Sequence, residues 1–324
     1  MAAAVGLSFA KIPFENIACL FSDLPHSGFR CQSLKTLFLF MPSFDEQLWA
    51  IVAAAMKEDL GEGDHSTLAC IPADTRGIAT LKIKESGILA GVEVAEKIFR
   101  MKEPSAILQI YKKDGVWMEP GEKAFDIRAS VHTILECERL VLNCMQRMSG
   151  IATLTRQFVD KVKRYHAKIL DTRKTTPNFR LLEKEAVRIG GGVNHRYGLY
   201  DMILLKDNHI DYCGGIENAI NRAYEYVQNT KPGLEIEIET RSLDEVRKVI
   251  AAGGVNRIML DNFGPVQVAE AVKLIAGRYE TEASGGMNLD NVEEYAKTGV
   301  DFISVGALIH QARSLDMSLK AIVN

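Results

Sequence analysis

The 324-residue sequence lacks the features that define several large classes of protein. Its six cysteines form no Cys-x-x-Cys pair and none has zinc-finger spacing to a histidine, which indicates free thiols in a reducing compartment. No apolar run approaches the roughly 20 residues that a membrane-spanning helix needs. A net charge of -3 gives no reason to expect nucleic acid or an anionic membrane as a partner.

Positive charge is nevertheless concentrated in the middle of the chain. Residues 131–206 contain 14 Lys and Arg against 7 Asp and Glu, although the whole chain is slightly acidic. Such a stretch fits a local binding site for anions, but charged helix faces would give the same count. Arg180, Lys184 and Arg188 fit the second interpretation, because they share one charged, helix-like segment and we expect them to be solvated.

The first 40 residues differ in composition from the rest. They hold Lys11, Arg30 and Lys35 but only two acids, and they show no repeated helical or strand periodicity. We interpret residues 1–40 as a transit peptide for an organelle, a plastid in preference to a mitochondrion. A disordered leader, or an upstream leader with Met41 as a second start, would explain the same composition.

Hydrophobic periodicity divides the remainder into two α/β parts. Residues 42–140 mix helix-like and strand-like segments joined by Asp-Gly and Pro-Gly turns, which predicts a small mixed α/β domain. A helix over Thr133–Met148 and a second helix to about Tyr165 follow. Residues 141–324 then repeat βα units, which favours an α/β barrel over an open sheet. The predicted barrel strands are Ile169–Leu170, Met202–Leu205, Leu234–Glu239, Arg257–Leu260, Tyr279–Ala283 and Phe302–Val305.

Polar residues follow almost every predicted barrel strand. Active sites of such barrels lie at the carboxyl ends of the strands, so the fold would bring these residues into one mouth. The segments are Asp171-Thr-Arg-Lys174, Lys206-Asp-Asn-His209, Glu239, Asp261-Asn262, Ser284-Gly-Gly286 and Gly306.

Glu235, Glu237 and Glu239 alternate with isoleucines, so their carboxylates share the face directed into the barrel. Buried carboxylates need cationic or metal partners. A layer of ion pairs that only holds the barrel together would satisfy the pattern as well as a functional site, but Glu239 lies at the open end and favours function. The candidate cations are Arg173, Lys174 and Lys206.

Arginine, lysine and glycine residues at the strand ends suit anions. Arginine binds carboxylate or phosphate through two parallel hydrogen bonds, whereas lysine acts as a point charge. Ser284-Gly285-Gly286 precedes a predicted helix, where backbone N–H groups could bind phosphate, although a tight βα turn is the alternative. The basic group comprises Arg173, Lys174, His195, Arg196 and Lys206.

Together these segments resemble the quinolinate phosphoribosyltransferase family over roughly residues 44–324. The most specific motifs are Asp171-Thr-Arg-Lys-Thr-Thr-Pro177 and Leu205-Lys-Asp-Asn-His209. The resemblance also rests on Glu58-Asp-Leu-Gly-Glu-Gly-Asp-His-Ser-Thr67, Glu138-Arg139 with Asn143, Asn194-His-Arg-Tyr197, Glu237-Ile-Glu239, Leu260-Asp-Asn-Phe263, Ser284-Gly-Gly286 and Ser304-Val-Gly-Ala307.

The resemblance implies a small N-terminal α/β domain followed by an incomplete α/β barrel. It implies an enzyme that transfers the phosphoribosyl group of phosphoribosyl pyrophosphate to quinolinate with decarboxylation, giving nicotinate mononucleotide, pyrophosphate and CO2 in NAD biosynthesis. It also implies a homodimer, or an assembly of dimers, with shared active sites in which Arg139 reaches the neighbouring subunit's site.

The resemblance further implies a role for each matching residue. Glu239 and Asp261 would contact the ribose and a magnesium ion (Mg2+), and they would be catalytic together with Lys174 and Lys206. The carboxylates of quinolinate would be bound by Arg139, Arg173, His195, Arg196 and Lys206. The phosphates would be bound by Lys174, Ser284, Gly285 and Gly306.

Three other functions fit parts of the pattern. A Schiff-base aldolase would use Lys206 as its nucleophile, although the number of additional cations argues against it. A phosphoribosyltransferase for another carboxylated ring would need a similar group of cations. A non-catalytic sensor of phosphosugars would not require Glu239 or Asp261.

Overall fold

A computed structural model of the chain describes residues 43–322, so the predicted leader, residues 1–40, lies outside the described residues. None of the helices in that range has the length and hydropathy needed to cross a bilayer.

The first part of the chain is the small mixed α/β domain that the periodicity predicts. Its apolar residues alternate along the strands, and Leu81, Phe125 and Ile127 are fully buried between the sheet and the helices. Its elements are α1 (Phe44–Leu60), α2 (His65–Cys70), β1 (Arg76–Ile83), β2 (Gly87–Ile88), α3 (Val92–Lys102), β3 (Ile107–Ile110), β4 (Trp117–Met118) and β5 (Lys123–Ser130).

One 32-residue helix, α4 (Val131–Val162), stands where two helices are predicted. The prediction is wrong because Ser149 and Gly150 are packing residues and do not end the helix. Ser149 Oγ accepts a hydrogen bond from Ala90 N at 2.9 Å. A side chain at Gly150 would collide with the backbone of Arg313, so only glycine allows this close approach.

The second part of the chain is an incomplete α/β barrel. Six parallel strands follow the order β6-β11-β10-β9-β8-β7. Strands β6 and β7 end this order and are not paired with each other among the described residues, so the ring stays open there. The elements are β6 (Lys168–Leu170), α5 (Arg180–Ile189), β7 (Ile203–Leu205), α6 (Asp207–Cys213), α7 (Ile216–Asn229), β8 (Ile236–Thr240), α8 (Leu243–Ala252), β9 (Arg257–Asp261), α9 (Pro265–Ile275), β10 (Glu280–Ser284), α10 (Val292–Ala296), β11 (Phe302–Ser304), α11 (Ala307–His310) and β12 (Met317–Ala321).

The last strand, β12, belongs to the sheet of the first domain. It pairs antiparallel with β1, with Leu319 opposite Leu81, in a sheet of order β12-β1-β5-β3. The predicted barrel domain, residues 141–324, thus ends in a strand that pairs with the first domain, because the apolar face of Met317 and Leu319 completes the core there. The predicted boundary at 140 falls inside α4, which packs against strands of both sheets.

We predict that Leu319→Ala lowers the free energy of unfolding by about 2–5 kcal/mol, since Leu319 is 4% exposed and its removal leaves a cavity. The neighbouring variant Lys320→Ala is the control, because Lys320 is exposed and its effect should stay within about 0.5 kcal/mol. Urea unfolding of both variants measures the difference. Equal stabilities would show that β12 does not contribute to the core.

Candidate active site

The carboxyl ends of β8, β9 and β10 bring three predicted site residues to one edge of the barrel. Asp261 and Ser284 are register partners, and Glu239 is the partner of Met259, two residues before Asp261. Because side chains two residues apart on a strand point to the same face, Glu239, Asp261 and Ser284 project into the barrel mouth together.

The loops after β9 and β10 form one continuous surface. Asn262 N donates a hydrogen bond to Ser284 O at 2.8 Å, and Asn262 adopts a left-handed backbone with φ of 57°. Gly285 has φ of 103°, and a side chain there would collide with that of Asn262. Glycine is therefore required at 285 both by its conformation and by the space available.

Lys206 bridges the mouth from the end of β7. Its Nζ lies 3.1 Å from Oε2 of Glu239, and the Lys206 side chain is half-exposed while that of Glu239 is buried. The expectation that a carboxylate of β8 pairs with Lys206 is confirmed. Glu239 thereby holds the Lys206 side chain at the mouth of the barrel.

Lys174 and Gly306 meet on the other side of the mouth. A Cβ atom on Gly306 would lie 3.2 Å from Cδ of Lys174, so the lysine side chain lies across the glycine. The Lys174 backbone N–H donates to Thr172 Oγ1 at 3.0 Å. Absence of a side chain at 306 therefore gives Lys174 its path toward the cavity.

Arg173 and Arg196 are close enough to repel each other. Burial, and then the positive charge of Arg173, lower the pKa of Arg196, whose side chain is largely buried. Arg196 Nη1 donates to Met202 O at 3.1 Å, and Nε of Arg173 is buried without a hydrogen-bond partner. Within residues 43–322 neither arginine forms an ion pair with a carboxylate. Arg196 is buried and Arg173 is half-buried, and the charges of Glu237 and Asp201 favour the charged form of Arg196 without forming a direct ion pair. Cations in such surroundings favour an anionic ligand.

A layer of buried charges lies deeper in the barrel. His195 Nε2 is 2.8 Å from Glu237 Oε2 and 3.4 Å from Glu282 Oε2. Arg257 Nη1 is 3.3 Å from the same oxygen of Glu282, and its guanidinium lies 4.2 Å from the ring centre of Phe302. Both carboxylates are fully buried. None of the three candidate cations, Arg173, Lys174 and Lys206, pairs with Glu237. His195 and Arg257 take that place.

Sequence reasoning missed two members of this buried layer, Arg257 and Glu282. The signal for Glu282 is its alternation with Glu280 along β10, the same pattern that identifies Glu237 and Glu239 on β8. Arg257 begins β9, and its register partners are Glu237 and Glu280 on the two neighbouring strands. A barrel prediction that aligned the strands would have placed this cation between those acids.

His195 is held on both ring nitrogens. Burial opposes its protonation, but hydrogen bonds to Glu237 and Glu282 outweigh this effect and raise the pKa of His195 to about 9. Arg196 N donates to Nδ1 at 2.7 Å, so protonation of Nδ1 and this backbone hydrogen bond exclude each other. In either state Nε2 carries a proton toward Glu237 and does not act as a metal ligand. Contact with a substrate would require the ring to release one of these partners.

Beneath the cation-bearing loops, a second buried ion pair joins Asp171 to Lys184. The distance from Lys184 Nζ to Asp171 Oδ1 is 2.5 Å, and both side chains are almost completely buried. The expectation that Lys184 is solvated is wrong, because its side chain points inward and pairs with Asp171, the residue that follows β6. Arg180 is also partly buried and donates to Tyr197 O at 2.9 Å, whereas Arg188 is exposed and pairs with Glu185.

Arg139 does not contact these groups. It is exposed on α4 and forms no hydrogen bond or ion pair with any residue between 43 and 322. Leu135 and Asn143, one turn before and one turn after it, are exposed as well. The structure thus brings the predicted site residues of the barrel together but leaves Arg139 on an outward stripe of α4. The residues brought together are Arg173, Lys174, His195, Arg196, Lys206, Glu239, Asp261, Ser284, Gly285 and Gly306.

Comparison with known families and structures identifies this arrangement. A model of the C-terminal domain of quinolinate phosphoribosyl transferase matches residues 151–320, and one of the N-terminal domain matches residues 64–149. The chain belongs to the quinolinate phosphoribosyltransferase family. Membership confirms the resemblance in the sequence motifs and assigns both parts of the fold to one enzyme family.

Individual relatives of known sequence and structure agree with this family membership. A chloroplastic nicotinate-nucleotide pyrophosphorylase (carboxylating) of Arabidopsis thaliana is 45% identical over 86% of this chain and 83% of the relative. A mitochondrial quinolinate phosphoribosyltransferase (decarboxylating) of Nicotiana tabacum is 42% identical over 90% of this chain and 86% of the relative. The crystal structure of NadC from Streptococcus pyogenes superposes with a TM-score of 0.81 at 39% identity, covering 86% of this chain and 98% of that structure.

We predict that Arg257→Met destabilises the folded protein by about 3–5 kcal/mol, because it leaves the two buried carboxylates of Glu237 and Glu282 with His195 as their one cationic partner among the described residues. Burial and then Glu282 already raise the pKa of Glu237 from 4.5 to about 7. A raised pKa in the folded state gives a stability contribution that is lost as the pH rises through it. Loss of Arg257 raises that pKa further, so the destabilisation should be larger at about pH 8 than at about pH 5.

Urea unfolding at both pH values measures this effect. The control is Arg247→Met on α8, whose side chain is 58% exposed, and which should change the stability by less than about 0.5 kcal/mol. A loss of stability in Arg257→Met that does not depend on pH would contradict the proposed coupling to the carboxylates.

Proposed function

We propose that this chain transfers the phosphoribosyl group of phosphoribosyl pyrophosphate to quinolinate, with release of pyrophosphate and CO2, to form nicotinate mononucleotide for NAD biosynthesis. The observation that carries the proposal is the group of cations without internal counterions, Arg173, Lys174 and Arg196, beside the carboxylates of Glu239 and Asp261. The family and the names of its members supply the substrate, and the charges of the site suit that substrate.

The two arginines suit the dicarboxylate. A guanidinium binds a carboxylate through two parallel hydrogen bonds, and quinolinate offers two carboxylates on adjacent ring carbons. Arg173 and Arg196 would each lose part of their mutual repulsion when these carboxylates lie between them. Lys174, across Gly306, would then bind a phosphate, together with the backbone of Ser284 and Gly285.

The carboxylates at the mouth suit the magnesium ion that the family implies. Lys206 contacts Oε2 of Glu239, and Asn262 donates to Oδ2 of Asp261 at 2.7 Å. One oxygen of each carboxylate has no hydrogen-bond partner among the described residues. Mg2+ prefers one or two carboxylates together with phosphate oxygens of the substrate, so Glu239 and Asp261 would hold it. When bound, the ion neutralises charge on the departing pyrophosphate.

The residues of this chain would stabilise both steps of the reaction. As the bond from the anomeric carbon to pyrophosphate breaks, that carbon becomes cationic, and the negative charges of Glu239 and Asp261 lower the energy of this state. The pyridine nitrogen of quinolinate then forms the new bond to the same carbon. The carboxylate beside that nitrogen leaves as CO2, and its electron pair stays on the ring carbon next to the positive nitrogen until a proton replaces it.

An organelle is the proposed location. The relative from Arabidopsis thaliana is named chloroplastic and that from Nicotiana tabacum mitochondrial. Residues 1–40, with three basic and two acidic residues, are the segment that would direct import. We retain the preference for a plastid over a mitochondrion as part of this proposal.

We predict that quinolinate is a substrate and that nicotinate is not. Nicotinate lacks the second carboxylate, which would leave one buried arginine unpaired at a cost of about 2–5 kcal/mol. Turnover of each acid is measured with phosphoribosyl pyrophosphate and Mg2+. Comparable turnover of both acids would contradict the assignment and would favour a phosphoribosyltransferase for another ring.

We predict that Glu239→Gln and Asp261→Asn each lower kcat by roughly 10²–10³-fold, because each removes a negative charge placed beside the anomeric carbon. The exposed Glu225→Gln on α7 serves as the matched control. Thermal unfolding should show that all three variants fold. Near-normal turnover in both site variants would remove these carboxylates from the mechanism and would fit a sensor of phosphosugars.

We also propose a homodimer, or an assembly of dimers, with shared active sites. The exposed stripe of Leu135, Arg139 and Asn143 on α4 supports a surface that pairs with a second copy. In a two-fold interface each subunit gives and receives the same patch, so Arg139 of one subunit would bind quinolinate in the other.

We predict that mixing the inactive variants Arg139→Ala and Lys206→Ala restores activity to about a quarter of wild type, because half of randomly mixed dimers carry one intact site out of two. Steady-state assays after subunit exchange measure the recovery. The control mixture is Lys174→Ala with Lys206→Ala, which should stay inactive because both lysines belong to the same subunit's site. If mass spectrometry shows that subunits exchange but neither mixture recovers activity, Arg139 does not act in the neighbouring subunit's site.

A further inference from the structure

We propose that the buried ion pair of Asp171 and Lys184, with Asn194, is a positioning device that fixes the two cation-bearing segments of the site, 172–176 and 194–197, relative to each other. Its catalytic consequence rests on the proposed function. The device itself is a property of the fold and has its own test.

Asp171 is the centre of this network. It is fully buried at the end of β6, and its two carboxylate oxygens accept three hydrogen bonds. Oδ1 accepts from Lys184 Nζ at 2.5 Å and from His195 N at 2.8 Å. Oδ2 accepts from Asn194 Nδ2 at 2.6 Å. One side chain thereby ties β6 to α5 and to the segment that begins at Asn194.

Lys184 and Asn194 close the network. Lys184 Nζ also donates to His195 O at 3.0 Å, and Asn194 Nδ2 donates to Lys184 O at 2.9 Å. The backbone N–H and C=O of His195 are therefore both bonded to this one ion pair. The peptide groups on both sides of His195 therefore have little freedom to rotate. Because Arg196 is the next residue in the chain, the position of its backbone is restricted as well.

Glu183, which precedes Lys184 on α5, holds the other segment, residues 172–176. Glu183 is fully buried, and its Oε2 accepts from Thr176 N at 2.8 Å while Oε1 accepts from Thr176 Oγ1 at 2.9 Å. Arg147 Nη2 donates to the same Oε1 at 2.8 Å. Two successive buried charges, Glu183 and Lys184, thus anchor segment 172–176 at its end and segment 194–197 near its start.

The site needs such an anchor because its cations repel each other. Arg173 lies two residues after Asp171 and Arg196 one residue after His195. Neither arginine forms an ion pair with a carboxylate within the described part of the chain, so their mutual repulsion works against this close arrangement. Apolar packing could fill the same volume with equal stability, but it offers no directional bonds to two backbone segments. The ion pair supplies those bonds, and a displacement of about 1 Å at a reacting group can cost 10²-fold in rate.

The test compares Lys184→Met with the double variant Asp171→Asn/Lys184→Met. The single variant leaves a buried carboxylate unpaired and should lose much of its stability. The double variant removes both charges, so its urea midpoint should return toward wild type. The matched control is Glu185→Gln/Arg188→Met, which neutralises an exposed ion pair on the same helix.

If the pair positions the site, the double variant still raises the KM for quinolinate roughly tenfold or more although it folds. Hydrogen–deuterium exchange of residues 172–176 and 194–197 should become faster in the same variant and stay unchanged in the control. A folded double variant with wild-type KM and wild-type exchange would overturn the proposal, because the pair would then be only structural.

Asn194→Ala keeps the proposal testable if the double variant does not fold. Asn194 is exposed, so its removal should leave the fold intact, while the loss of its two hydrogen bonds should raise the KM severalfold and speed exchange at 194–197. Unchanged KM and exchange in this variant would also overturn the proposal. If the wild-type chain does not turn over quinolinate, the proposed function fails, and the exchange measurement alone decides the positioning role.

Discussion

The repulsion between Arg173 and Arg196, which form no ion pair with a carboxylate among the described residues, determines how the segments around the site must be held. Arg173 and Arg196 lie close together in a partly buried mouth, where their repulsion works against the folded state. Hydrogen bonds to the backbone segments that carry the two arginines oppose this repulsion. Asp171 at the end of β6 and the residues Glu183 and Lys184 within α5 provide these hydrogen bonds, and strands β8 and β9 supply the carboxylates that complete the cavity.

The charges of the barrel are arranged in two levels. In the deeper level, His195, Glu237, Arg257 and Glu282 neutralise one another and are almost completely buried. In the upper level, Lys206 pairs with Glu239, whereas Arg173, Lys174 and Arg196 form no ion pair with a carboxylate among the described residues and remain available to a substrate. His195 connects the two levels, because its ring bonds downward to Glu237 while its backbone is held by Asp171 and Lys184.

Much of this site could be predicted from the sequence. The alternation of Glu237 and Glu239 with isoleucines identifies the face of β8 that lines the barrel, but the prediction is wrong for Glu235, which is exposed and precedes the strand. The residues after each strand identify the mouth of the barrel. The pairing of Lys206 with Glu239 follows from the same reasoning, since both lie at the ends of neighbouring parallel strands.

The rest depends on contacts between segments distant in the sequence. Lys184 lies in a helical stretch rich in exposed charges, and only the position of Asp171 shows that this lysine points inward. The pairing of β12 with β1 joins the two ends of the described chain, and no local pattern specifies it. Gly150 continues α4 instead of ending it, because the Arg313 backbone, more than 160 residues later, needs the space.

A crystal structure with quinolinate bound would show directly whether the two arginines bind the dicarboxylate. We expect the two carboxylates of quinolinate to lie against Arg173 and Arg196, with oxygen-to-nitrogen distances of about 2.7–2.9 Å, while His195 keeps its hydrogen bond to Glu237. Quinolinate bound away from both arginines, or bound with its carboxylates turned to solvent, would contradict the account.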